Sequence, residues 1–156
     1  MAIEIERKFL VKDDSWKAGR EGKRYSQGYL SRARGRTVRV RRVEEKGWFT
    51  VKGPGDGISR PEFEYEIPLS DARQMLENLC IQPLIEKIRY LVPHGGMVWE
   101  VDEFLGENLG LVVAEIELAA ADQPFDPPPW LGKEVSGDPR YYNSCLSREP
   151  FSSWKS

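Results

Sequence analysis

MAIEIERKFL, residues 1–10, puts Glu4, Glu6 and Lys8 at alternate positions with Ile3, Ile5, Arg7 and Phe9 between them. Side chains alternate between faces along a strand, so this stretch predicts a strand with two acids and a base on one side. The same period of two recurs over Gly28–Ser31, Thr37–Val43, Trp48–Lys52, Glu62–Leu69, Ile85–Val92, Met97–Phe104 and Leu111–Ala119, which makes eight strands in all. The connections between them, Glu45-Lys46-Gly47, Gly53-Pro54-Gly55-Asp56-Gly57, Pro93-His94-Gly95-Gly96 and Gly106-Glu107-Asn108, are too short for parallel crossovers. A mainly β, antiparallel fold is therefore expected, within one domain spanning residues 1–156.

One helix is signalled by Ser70 as N-cap, Asp71 in the first turn, and Ala72, Met75, Leu76 and Leu79 on one face. A second is expected from Asp138-Pro139 through Leu146, after an extended spacer at Pro127-Pro128-Pro129.

Sorting each strand by parity gives one ionic face: Glu4, Glu6 and Lys8; Arg39 and Arg41; Lys52; Glu62, Glu64 and Glu66; Lys87 and Arg89; Glu100 and Asp102; Glu115 and Glu117. The opposite face is apolar, from Ile3 and Ile5 through Val38, Val40, Phe63 and Tyr65 to Ile116 and Leu118. A single such strand is an ordinary half-solvated strand. Eight together, with almost no Ser, Thr, Asn or Gln at the ionic positions, point to strands closed into a barrel with the charges inside. Like charges ~4 Å apart repel by about 4 kcal/mol at an effective dielectric near 20, so clustered carboxylates call for a cation. An all-oxygen set without His or Cys suits Mg²⁺ or Mn²⁺. Arg39, Arg41, Lys52, Lys87 and Arg89 call for an anion, and the guanidinium fork matches phosphate oxygens in pairs. A polyphosphate between an arginine wall and a metal wall satisfies both sets, with Glu4 and Glu6 holding metal and Lys8 holding phosphate.

The composition sets the remaining bounds. With 40% hydrophobic and 31% charged residues and a formal charge of −2, the chain is globular without a global pull on nucleic acid or anionic lipid. Cys80 and Cys145 have neither zinc nor disulfide spacing, and no apolar run reaches the ~20 residues of a membrane span, so reduced thiols and a cytoplasmic location are expected. His94, Gly53–Gly57 and the five tryptophans, including Trp154, read as turn and packing residues.

Glu4-Ile5-Glu6-Arg7-Lys8 also resembles the E-x-E-x-K signature of the CYTH superfamily, the triphosphate tunnel metalloenzymes. The resemblance continues in order through Gln27-Gly28-Tyr29-Leu30, Arg39-Val40-Arg41, Thr50-Val51-Lys52, Ser59-Arg60 and Glu62-Phe63-Glu64. It extends through Glu86-Lys87-Ile88-Arg89-Tyr90, Glu100-Val101-Asp102 and Glu115-Ile116-Glu117, and the end of the chain is similar to short bacterial members resembling inorganic triphosphatases. It implies a closed eight-stranded antiparallel tunnel with flanking helices, a C-terminal helix closing one mouth, and metal-dependent hydrolysis of a triphosphate. Carried over by position, Glu4, Glu6, Glu115 and Glu117 form the metal cluster, with Asp102 as a further ligand or a positioner of water. Lys8, Arg39, Arg41, Lys52, Lys87 and Arg89 form the phosphate grip. Arg60 belongs to the same motifs and is counted with the substrate-binding residues, with Glu62, Glu64 and Glu100 supporting. Lys8, Tyr29, Asp102 and Glu115 are the catalytic candidates, Tyr29 being expected near Lys8.

Inorganic tripolyphosphate is the first substrate on this reading, with thiamine triphosphate hydrolysis or adenylate cyclase chemistry as alternatives. A non-catalytic polyphosphate or RNA binder is the alternative of another class. The RNA reading draws on Ser31-Arg32-Ala33-Arg34-Gly35-Arg36, which with Arg39, Arg41 and Arg42 puts six arginines in twelve residues, but the slightly acidic chain argues against nucleic acid. The apolar outer faces would pack on helices or, in a homodimer, on a second copy.

Overall fold

The computed structural model describes residues 3–33 and 35–154. Its strands are β1 (Ile3–Val11), β2 (Lys23–Ala33), β3 (Arg36–Val43), β4 (Lys46–Lys52), β5 (Ser59–Ile67), β6 (Ile81–His94), β7 (Met97–Phe104), β8 (Val112–Glu117) and β9 (Leu131–Glu134). Helices α1 (Leu69–Asn78) and α2 (Asn143–Leu146) complete it. Neighbouring strands run β5-β4-β3-β2-β6-β7-β8-β1, and β1 pairs back onto β5, so eight antiparallel strands close into the expected barrel. The hairpin from β6 to β7 turns on Gly95 and Gly96 alone, at φ 60° and 78°, the two positive values that a two-residue turn matching strand twist needs.

The ninth strand was not expected, because Pro127-Pro128-Pro129 reads only as a spacer. Its cause lies in β1. That strand pairs with β5 only over Ile3–Ile5 on one edge and would leave the rest of that edge open. β9 takes it, pairing Phe9 with Glu134 and Val11 with Leu131, while Val135 N–H donates to Lys8 O (2.8 Å) and Ser136 Oγ accepts from Lys8 N–H (2.9 Å).

Outside the barrel, Phe9, Tyr90, Trp99, Val101, Ala114 and Ile116 form a buried layer closed over by Trp16, Trp130 and Phe125. Trp99 is the hub, with edge-on contacts to Phe9 (5.7 Å), Phe125 (5.4 Å) and Trp130 (5.8 Å). Helix α1 packs Ala72 and Leu76 onto Val40, close enough that a Cβ on Gly47 would meet Ala72 Cβ at 2.5 Å. It begins at Leu69 behind Pro68 rather than behind Ser70, whose hydroxyl caps nothing. Leu79, expected on its buried face, sits past the helix end and is 67% exposed. Phe63 and Tyr65 leave the outer face of β5 uncovered. Cys80 is buried with α1, its thiol pushed up to about 11 by burial, and both cysteines are free.

The inward rows are not ionic along their whole length. Leu10, Ile85, Phe104 and Val113 share the parity of Lys8, Lys87, Asp102 and Glu115, and with Leu111, Leu146, Tyr141, Phe151 and Trp154 they fill one end of the barrel with apolar packing. The terminal segment supplies that plug as expected, but not as one helix. A 3-10 turn at Pro139–Tyr141 and the single turn of α2 are separated by extended Tyr142 (ψ 137°), whose side chain reaches back to the charged interior.

Candidate active site

Above the plug lies a cavity of about 150 Å³ with charged walls. Lys8, Arg39, Arg41, Lys52, Lys87 and Arg89 all face it, and Arg60 joins them from β5. Glu4, Glu6, Glu62, Glu64, Glu100, Glu115 and Glu117 face it as well. Glu66, on the same face of β5, does not reach it and is exposed.

The acidic wall is built by strand register. Glu6 is the cross-strand partner of Glu117, and Glu100 of Glu115, so like charges sit directly opposite where opposite charges would stabilise the pairing. Lys8, partner of Glu115 in the same ladder, reaches Glu115 at 3.4 Å and Glu6 at 3.8 Å. Lys8, with Arg89 2.9 Å from Glu100 and 4.0 Å from Glu115, leaves Glu6 and Glu100 under-compensated. Burial, then Glu115, pushes Glu6 up to about 7, and burial also raises Glu100. Burial would raise Glu115 too, but Lys8, Arg89 and Lys87 hold it well below the usual carboxylate range.

The basic wall is under-neutralised in the opposite sense. Arg39 touches Thr50 Oγ1 (3.4 Å) and half-exposed Glu64 (3.6 Å), and its buried Nε–H has no partner among the described residues. Arg41 forms no ion pair among the described residues; burial, with Arg39 and Arg89 beside it, pulls it down to about 10. Burial likewise brings Lys87 down to about 7 despite Asp102 at 2.8 Å. Buried cations without counter-charge are costly, and an anion with several oxygens would relieve them together.

Two expected metal ligands stand apart from the acidic wall. Asp102 is fully buried and takes Arg89 Nε and Nη2 (2.7 and 2.9 Å) and Lys87 Nζ, so both its oxygens serve the basic wall from behind. Glu4 accepts from Lys52 (3.0 Å) and lies 3.4 Å from Arg60; burial would raise it, but these cations and Glu62 hold it at about 2. Glu62, sharing Lys52 at 3.3 Å, is pushed up to about 7 by burial and by Glu4. The structure thus brings Glu6, Glu115 and Glu117 together and gives Glu4 and Asp102 to cations. Among the described residues no three potential ligands already converge on one point. Their chemistry nevertheless fits a hard divalent ion: all-carboxylate donors, two like-charge cross-strand pairs, and a Glu6 forced toward its neutral form.

Tyr29 lines the cavity as the register partner of Arg39, but the ring beside Lys8 belongs to Tyr142, 5.8 Å from Lys8 Nζ and from Arg60 Cζ. Tyr142, Asn143, Ser144 and Thr37, and the buried pair Gln27 and Thr50, which lie within the family-like motifs, were given no site role from the sequence. Thr37 and Thr50 share the parity of Arg39, Arg41 and Lys52, a signal that uncharged side chains obscure; nothing in a strand pattern announces the terminal residues. Of the arginine-rich loop, Arg34 lies outside the described residues, Arg32 donates to Ser147 O (3.0 Å), and Arg36 lines a groove of about 740 Å³ with Arg148 and Arg60.

These shifts give a pH expectation. Glu6 and Glu62 ordinarily titrate near 4.5 and do so near 7 in the folded chain. Between those values the folded state holds protons that the unfolded state has lost, so stability falls as pH rises through the window. Chelator-treated protein should melt lower at about pH 7 than at about pH 5.5, and saturating Mg²⁺, which binds the deprotonated form, should flatten that slope. A slope of the opposite sign would contradict the burial of this acidic pair.

Comparison with known proteins agrees with this geometry. The CYTH domain family matches residues 2–142. An inorganic triphosphatase from Acetivibrio thermocellus is 52% identical over 155 residues, covering 99% of each chain. One from Nitrosomonas europaea is 35% identical over 153 residues, covering 92% of this chain and 96% of its own. The crystal structure of an inorganic triphosphatase superposes with a TM-score of 0.67 at 32% identity, over 94% of this chain and 95% of that one. With a full-length barrel, facing charge rows and relatives matched nearly end to end, the chain belongs to the CYTH domain family.

Proposed function

We propose that the protein is a metal-dependent triphosphatase acting on inorganic tripolyphosphate. The observation that carries this reading is the pair of cavity-lining arginines, buried Arg39 and part-buried Arg41, with an unpartnered Nε–H on one and no ion pair on the other among the described residues, opposite a wall of paired carboxylates. The identity of 52% with an inorganic triphosphatase over 155 residues supports the same substrate.

Phosphoryl transfer asks chiefly for positioning and charge stabilisation. Arg39, Arg41, Lys52, Lys87, Arg89 and Arg60 hold the phosphate chain, and Lys8 sits where the basic and acidic walls meet. Glu6, Glu115 and Glu117 would hold Mg²⁺ or Mn²⁺, which would supply Lewis acidity and a bound water of lowered pKa; Glu4 is engaged by Lys52 and Arg60. Glu115 lines the cavity and is held ionised, which suits it to orient the attacking water; Asp102, behind the wall, fixes Arg89 and Lys87. Water oxygen bonds to the terminal phosphorus, the anhydride P–O bond breaks, and pyrophosphate leaves with its charge spread over the basic wall while the water's proton passes to solvent. No protein nucleophile takes part.

The test is phosphate release from tripolyphosphate, ATP and thiamine triphosphate in parallel, with Mg²⁺, with Mn²⁺ and with chelator. Tripolyphosphate should be cleaved fastest and chelator should stop it. Cyclic AMP from ATP, or no release from any substrate, would overturn the proposal.

A further inference from the structure

At the basic wall, two amides, one fully buried and one part-buried on the cavity lining, connect four elements, β2, β3, β6 and α2. Gln27 of β2 is fully buried, and Asn143 opens α2 in the terminal segment. Arg41 Nε–H donates to Gln27 Oε1 (3.3 Å), Gln27 Nε2–H donates to Asn143 Oδ1 (3.0 Å), and Lys87 Nζ–H donates to that same oxygen (3.2 Å). The chemistry permits one orientation. Arginine and lysine only donate, so each amide must turn its oxygen toward its cation, and Gln27 is left with its NH₂ for Asn143. Both lone pairs of Asn143 Oδ1 are then in use.

We infer that Asn143 is a positioning residue for the phosphate grip, acting directly on Lys87 and, through Gln27, on Arg41. The inference rests on the triphosphatase reading of the cavity. Lys87 is held from two sides, by the Asp102 carboxylate at 2.8 Å and by the Asn143 oxygen that accepts its N–H, and together these fix where the ammonium sits against the cavity. Removing the Asn143 acceptor frees the ammonium to swing toward Asp102. Gln27 Oε1 is the hydrogen-bond acceptor that orients Arg41, and Gln27 depends in turn on Asn143. Leu146, one turn further on, anchors in the apolar plug, so the segment that seals the barrel also aims its cations.

The experiment is a double-mutant cycle in KM for tripolyphosphate at saturating Mg²⁺ or Mn²⁺, with wild type, Asn143→Leu, Lys87→Met and the double variant. A hydrogen bond to a charged group sets the scale: Asn143→Leu should raise KM about tenfold with a much smaller change in kcat, while in the Lys87→Met background it should raise KM less than about threefold. If Asn143→Leu loses cooperative melting, Asn143→Ala, which adds no bulk, takes its place in the same cycle. Wild-type protein without triphosphatase activity would overturn the underlying functional reading. An active wild type with Lys87→Met impaired and the Asn143 variant unchanged, or with effects that simply add, would overturn the positioning role alone.

Discussion

Glutamine at position 117 is expected to cut metal-dependent phosphate release by about 10²–10³-fold, the scale of removing one preorganised electrostatic group, with melting unchanged. Glu117 is exposed at the cavity rim and opposes Glu6 across the β1–β8 ladder. Its charge therefore contributes little to the fold, and substitutions at such sites usually stay within about 0.5 kcal/mol. What Glu117→Gln removes is half of a like-charge pair that, on the proposed reading, holds the divalent cation. Phosphate release across a metal titration checks this: lost turnover, recovered in part at high metal, is the expected result. Wild-type turnover at low metal would remove Glu117 from the metal set.

Asn at position 102 should behave in the opposite way. Asp102 is fully buried between Arg89 and Lys87, and neutralising it leaves two cations facing each other in the barrel wall. Breaking a buried ionic group on one side costs about 3–5 kcal/mol, which for a chain of this size lowers Tm by roughly 6–20 °C. Burial would raise its carboxyl, but Arg89 and Lys87 keep it below its ordinary range, so the charge is present at neutral pH and its loss is felt there. Thermal melting of Asp102→Asn separates two roles. A large drop in Tm marks Asp102 as the counter-ion of the grip; an unchanged Tm with weakened metal dependence would make it a metal ligand instead.

Much of this was readable before any coordinates, for a definite reason. A strand's parity is fixed by its backbone, so Glu4-Ile5-Glu6-Arg7-Lys8 and its counterparts declare which residues share a face, and eight such faces in one short antiparallel chain leave a barrel as the way to use them. Parity is silent about height along the barrel and about partners. Leu10, Ile85, Phe104 and Val113 have the inward parity of the charged rows yet build the plug, because the rows turn apolar one step further along each strand. Glu4 and Asp102 share the face of the metal candidates but sit one rung away from the Glu6, Glu115 and Glu117 group, beside Lys52 and Arg60 or Arg89 and Lys87. Those neighbours are set by register between strands distant in sequence. The terminal contributions were the least legible: Tyr142 and Asn143 follow a helix-like pattern, and only the barrel end they meet breaks that helix at Tyr142. β9 likewise exists because β1 outruns β5, which no local pattern reveals.

The central claim is that two oppositely charged walls of one barrel enclose one site for a polyphosphate and a divalent ion. A crystal structure with tripolyphosphate and Mn²⁺, read by anomalous scattering, tests it most directly. The account predicts an Mn²⁺ peak against Glu6, Glu115 and Glu117, with phosphates on Arg39, Arg41 and Lys87 inside the barrel. Phosphates seated only in the outer groove of Arg36 and Arg148, or Mn²⁺ bound away from the acidic wall, would contradict it.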